Sequence, residues 1–121
     1  MDVRLKRAYE PPARAGGYRV LIDRLWPRGV SRQRVKLDGW EKGLSPSPEL
    51  RQWFGHEPER FQEFRLRYID ELRSKRPQLK ALRRRAREGT LTLVYSAHDT
   101  EHNDAVVLAE VLRRGLPKGQ T

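Results

Sequence analysis

The chain contains no cysteine, which excludes disulfides, thiolate catalysis and any cysteine-based metal site. It also lacks an apolar stretch approaching the roughly 20 residues that a bilayer-spanning helix needs. Met1-Asp2-Val3-Arg4 has none of the apolar run of a secretory signal. A cytoplasmic protein with no membrane partner is the expectation. Acids are scarce as well, 16 against 26 lysines and arginines, which leaves a net charge of +10. No repeat or low-complexity tract is present. What is there is one domain's worth of chain: 121 residues and 14.3 kDa. Apolar residues make up 36% and charged residues 35%, so the core must be economical, with the Trp, Phe and Tyr residues carrying much of it. Because those aromatics sit in patterned segments, a disordered chain is excluded.

Val3-Arg4-Leu5-Lys6-Arg7 alternates apolar and basic residues, the period of a half-exposed strand near a sheet edge. A breaker-rich loop follows over 10–17. Tyr18-Arg19-Val20-Leu21-Ile22 holds a continuous apolar run, as in a central strand of a parallel sheet covered on both faces. Residues 30–47 carry no clear period, although Trp40 and Leu44 are expected to tuck inward. Ser47-Pro48-Glu49 is a helix start, with an N-cap acceptor, a proline where no donor is needed and an acid near the positive dipole end. That helix carries Leu50, Trp53 and Phe54 and ends at Gly55. Pro58 opens a second helix with Phe61, Phe64, Tyr68 and Leu72 on one face. Pro77 begins a third, with Leu79, Leu82 and Ala86 inward, stopping near Gly89. Thr90 to Tyr95 reads as a strand, and a last helix is expected from about Glu101 to Arg114. The sum is a single α/β domain over 1–121, a mainly parallel sheet flanked by helices, with 116–121 as a short tail.

In open α/β sheets, ligands bind beyond the carboxyl ends of the strands. Two segments meet that condition here, Asp23 to Gly29 and Ser96 to Asn103. The second leads into a helix whose unpaired N–H groups favour an anion, and Arg24 and Arg28 of the first could supply countercharge. The competing reading is that both arginines pair with Asp23, Asp99 and Glu101 and only fasten the loops. Trp26 and Trp53 suit either ligand stacking or core packing. His56 and His102 are the candidate proton carriers. His98 precedes the expected helix, which spoils the i, i+4 geometry of a His98–His102 metal pair, so no metal or cofactor is assigned. Ser96 lacks the G-x-S-x-G setting of a nucleophile.

From Arg73 to Arg87 there are eight cations and no acid. Arg83, Arg84, Arg85 and Arg87 are the candidate nucleic-acid contacts within that block. The alternative is a solvated helix face, since no aromatic interleaves the block.

D-R-L-W-P-R-G-V at 23–30, S-P-S-P-E-L-R-Q-W-F-G-H at 45–56, F-x-x-F-x-x-x-Y-x-x-E-L at 61–72 and S-A-H-D-T-E-H-N at 96–103 resemble the YeaO-like branch of domain-of-unknown-function family 488 (DUF 488). The resemblance spans about residues 2–115. It implies a compact α/β domain of bacteria or archaea, and a pocket around Arg24, Trp26, Arg28, Trp53, His56, Ser96, Asp99, His102 and Asn103. It implies no roles for them. A regulator label carried by some relatives implies a helix-turn-helix with a winged hairpin, for which this sequence shows no sign. Other branches resemble a pattern with cysteines where this chain has Tyr95 and Asn103, so a thiol mechanism cannot operate here. The leading expectation is therefore a pocket for a small anionic or polar ligand, in an enzyme of unstated reaction or in a binding protein. A nucleic-acid-binding protein using the basic helix and a protein-interaction module or homodimer are the alternatives.

Overall fold

A computed structural model describes residues 1–13 and 15–118. Four parallel strands form one sheet in the order β1-β4-β2-β3: β1 (Asp2–Arg7), β2 (Tyr18–Leu21), β3 (Gly39–Trp40) and β4 (Thr90–Tyr95). The helices are α1 (Arg32–Val35), α2 (Pro48–Phe54), α3 (Phe61–Leu72), α4 (Arg76–Glu88) and α5 (Asp104–Arg114). The α/β class, the edge position of β1 and the central position of β2 all match the sequence. With every strand pairing parallel, no β-hairpin wing is formed among the described residues.

Alternation along the strands splits the core. Val20, Ile22, Leu91, Leu93 and Tyr95 belong to the larger apolar cluster, which α2 to α5 complete through Leu50, Phe64, Tyr68, Leu82 and Leu108. Leu21 and Val94 belong to a smaller cluster with Ala8 and Val35, under Trp26 and Trp40. The stretch over 30–47 resolves into α1, β3 and a 3₁₀ turn at Lys42–Leu44. Leu44 is fully buried, as expected, but Trp40 is only half-buried because β3 is the outer strand. Arg19, on β2, is buried and donates from Nε and Nη2 to the Val35 carbonyl, satisfying the last carbonyls of α1.

The N-cap of α2 forms as its sequence requires, with Ser47 Oγ accepting from Leu50 N at 3.2 Å. Glu71 of α3 accepts from both the Ser47 amide and its hydroxyl, at 2.8 and 2.6 Å, and so locks α2 against α3. The last helix departs from expectation, starting at Asp104 and not Glu101. The Asp99 carboxylate accepts from the Glu101 and His102 amides at 2.9 and 3.0 Å, which holds 99–102 in a turn that competes with the helix. The expected tail is also partly anchored: Leu116 packs against the core and the Pro117 carbonyl accepts from Arg73 Nη1 at 2.6 Å, while 119–121 lie outside the described residues.

Between β1 and β2 the chain returns across β4, where Thr92 Oγ1 donates to the Gly16 carbonyl at 2.7 Å. The loop expected over 10–17 is found there, with Arg14 outside the described residues. Gly17 has φ +59°, and a Cβ at this position would lie 2.2 Å from the Thr90 carbonyl oxygen. Both the left-handed backbone and the contact exclude a side chain. Gly17→Ala is expected to lower the unfolding free energy by about 2 kcal/mol or more, read by urea denaturation; an unchanged midpoint would show that the strap is not fixed to β4.

Candidate functional site

Because all the strands run the same way, the carboxyl ends of β1, β2 and β4 share one edge. Their ladders extend past the strand ends, with Ala8 N donating to Tyr95 O at 2.7 Å and Ile22 N to Val94 O at 3.1 Å. Asp23 continues the join: its Oδ2 accepts from the Ser96 amide at 3.0 Å, so the two strand-end loops are tied by one carboxylate. Beyond this edge lies a cavity of about 700 Å³. Its walls are the 23–28 loop, α2 with the segments before and after it, Ser96 and Ala97 after β4, and the start of α5.

Of the candidate site residues, Arg24, Trp26, Arg28, His56, Ser96, His102 and Asn103 line this cavity. Arg24 and Arg28 are exposed and make no ion pair among the described residues, which removes the reading in which they fasten the loops through Asp23, Asp99 or Glu101. Trp26 is held by its indole N–H donating to Val30 O at 2.6 Å, and meets Trp40 edge-on at 5.5 Å. Trp40 in turn donates to the Asp23 carbonyl at 2.6 Å, which fixes the loop that carries Arg24. His56 is exposed, in a left-handed conformation directly after Gly55.

Three expected site residues stand elsewhere or do something else. Trp53 is absent from the cavity wall; its ring lies under the guanidinium groups of Arg67 and Arg60, at 4.4 and 5.7 Å. Asp99 is also off the wall, with Oδ2 at 3.0 Å from His102 Nδ1. Hydrogen bonds from the two amides hold the Asp99 carboxyl below its usual range, so it is an acceptor and Nδ1 carries the proton. Asn103 is buried and is the N-cap of α5, its Oδ1 accepting from Val106 N at 2.9 Å and its Nδ2 donating to Asp99 O at 2.8 Å. It has little left to offer a ligand.

The expected anion site at the start of α5 is likewise filled from within. Asp104 occupies the first helical position, where the nearby amides of Ala105 and of Asp104 itself favour its ionised form. Sequence reasoning missed Asp104; the signal was an acid directly after a strong N-cap residue, followed by apolar residues. Burial, reinforced by the neighbouring Asp23 charge, pushes its carboxyl up to about 7. Asp23 is raised too, by burial, against the Ser96 hydrogen bonds. Arg51 of α2 was also missed, because it reads as one more charge on an exposed helix face. It lies on the cavity wall, where its charge favours ionisation of both Asp23 and Asp104. The cavity is thus lined by exposed basic side chains, by the less exposed carboxyl groups of Asp23 and Asp104, and by apolar Phe54, Phe64 and Pro46. Among the described residues no three His, Asp or Glu side chains converge as a metal site.

The fold and site define a small α/β domain with a mixed-charge cavity at the carboxyl edge of a parallel sheet. The chain belongs to the DUF488-N3i family, described as the inactive DUF488-N3 subclade, whose family model matches residues 2–120. It is 43% identical over 113 residues to the uncharacterized protein YeaO of Escherichia coli strain K12, covering 93% of this chain and 98% of that one. It is 39% identical over 110 residues to the uncharacterized protein Rv3073c of Mycobacterium tuberculosis strain H37Rv, covering 91% and 92%. No solved structure matches it. Among the described residues no helix is long and apolar enough to cross a membrane.

The raised carboxyl of Asp104 has a definite sign in stability. The folded state holds this proton up to about pH 7 while the unfolded chain releases it near 4, so stability falls as pH rises between those values. Asp104→Asn is expected to remove that loss, with the stability difference from wild type growing by up to about 1.4 kcal/mol per pH unit between pH 5 and 7. Chemical denaturation of both proteins across that range checks it, and a pH-independent difference would show an ordinary carboxyl.

Proposed function

We propose that the protein is a small-molecule-binding domain, whose ligand carries both an anionic group and hydrogen-bond donors. The observation that carries this is the convergence on one cavity of three exposed arginines without ion-pair partners among the described residues, Arg24, Arg28 and Arg51, together with the less exposed carboxyl groups of Asp23 and Asp104. Guanidinium groups recognise carboxylate or phosphate by paired, charge-assisted hydrogen bonds. The carboxylates accept from amine, amide or hydroxyl groups, and Asp104 when protonated can also donate. Trp26, Phe54 and Phe64 supply the apolar walls usual in such sites. Exposed Tyr9 and Leu25 stand beside the same opening and add apolar surface to it. The description of the subclade as inactive supports binding without turnover.

A second reading, proton transfer, rests on the Asp99–His102 pair. With Nδ1 committed to Asp99, His102 Nε2 is the free ring nitrogen, the arrangement of a general base, and the ring lies on the cavity wall. His56 is exposed and has no hydrogen-bonded partner of this kind among the described residues.

Thermal melting with inorganic phosphate, sulfate, small carboxylates and nucleoside monophosphates tests the binding reading. A ligand at 100 times its Kd adds about 2.7 kcal/mol to the folded state. One of these anions is expected to raise Tm, and Arg24→Ala or Arg28→Ala to abolish the rise. The melting point without ligand should stay unchanged, because neither side chain has a partner to lose among the described residues. No response to any probe, or the same response in both variants, would overturn the reading.

A further inference from the structure

At the opposite, amino edge of the sheet, α4 and the carboxyl end of α5 enclose a separate groove of about 310 Å³ that shares no lining residue with the cavity. Its rim is Arg76, Lys80, Arg83 and Arg87, residues spaced i, i+4, i+7 and i+11 and therefore on one face of α4 over about 16 Å. Its floor is apolar, made by Leu79, Val111 and Leu116. No carboxylate lines it, and none of the four cations has an ion-pair partner among the described residues. Arg83 is half-buried, and its Nε is enclosed without a hydrogen-bond partner.

The rest of the basic block is differently disposed. Arg73 is bound to Asp70 and to the Pro117 carbonyl, Arg85 lies over the Tyr18 ring at 4.2 Å, and Arg84 is exposed away from the groove. Four like charges one turn apart repel one another along α4, and a multivalent anion seated among them removes that repulsion. We propose that this groove is a second ligand site, separate from the carboxyl-edge cavity, which binds phosphate-ester groups through Arg76, Lys80, Arg83 and Arg87. A free organophosphate and the backbone of a single-stranded nucleic acid present the same chemistry. The groove holds one such group against its apolar floor, and the length of the cation row suits a backbone running along α4.

The test is direct titration, by fluorescence anisotropy for a labelled single-stranded oligonucleotide and by calorimetry for a nucleoside monophosphate. The proteins are the full chain, Lys80→Gln/Arg87→Gln, and Arg84→Gln/Arg85→Gln, which has the same net charge. All four positions are exposed, so each variant should fold, and circular dichroism verifies it. The Lys80/Arg87 variant is expected to lose at least tenfold in affinity and the Arg84/Arg85 variant less than twofold. Binding of the oligonucleotide with a log–log salt slope near −3 assigns the backbone as source, whereas binding of the monophosphate alone assigns a free ester. Equal losses in the two double variants, or no binding of either probe at low salt, would overturn the proposal.

Discussion

β4 is hydrogen-bonded on both sides by strands running in its own direction, β1 at one side and β2 at the other. Parallel pairing forbids a tight turn between neighbours, so each link must carry the chain back from the carboxyl edge to the amino edge. The link from β1 does so as a strap across β4, and the link into β4 passes through α2, α3 and α4. Everything not used for returning is left at the strand ends. There the Asp23 carboxylate joins two loops, and the indole of Trp40 holds the same residue by its carbonyl. The cavity follows from this wiring: its walls are the beginnings of the return paths.

The same geometry sorts the charges. Carboxylates at the strand ends sit where protein surrounds them and backbone amides are within reach, so their ionisation is opposed by burial and supported by hydrogen bonds. The arginines stand on flexible side chains at the outer rim. A helix N-terminus that could have held a ligand's anion holds Asp104 instead. The site therefore presents fixed dipoles already satisfied from within and cations that are not.

Where an element buries one regular face, its pattern is visible in the chain: Phe64, Tyr68 and Leu72 in α3, Leu79, Leu82 and Ala86 in α4. Caps with a single strong chemical reason, Ser47 and Gly55, are equally visible. β3 is not, since two residues at an edge generate no period. The first turn of α5 misleads because the Asp99 side chain competes locally for the amides a helix would use. For the cavity, the strand-end rule selects the edge and the loops that line it. It cannot tell which of several polar side chains on those loops turn inward, and so it includes Trp53 and Asp99 and passes over Arg51 and Asp104. That choice depends on how α2 docks on α3 through Glu71, a contact 24 residues apart in the chain.

The pairing of β1 with β4 also sets a timetable. Asp2 and Thr90 are joined by a side-chain hydrogen bond across 88 residues, so during synthesis β1 waits for β4. At ordinary synthesis rates of about 5–20 residues per second, that is an interval of about 4–18 s. During it α2, α3 and α4 can pack locally while β1 remains an open edge. Its Arg4, Lys6 and Arg7 give that strand the charge that keeps a waiting edge from pairing with another nascent chain.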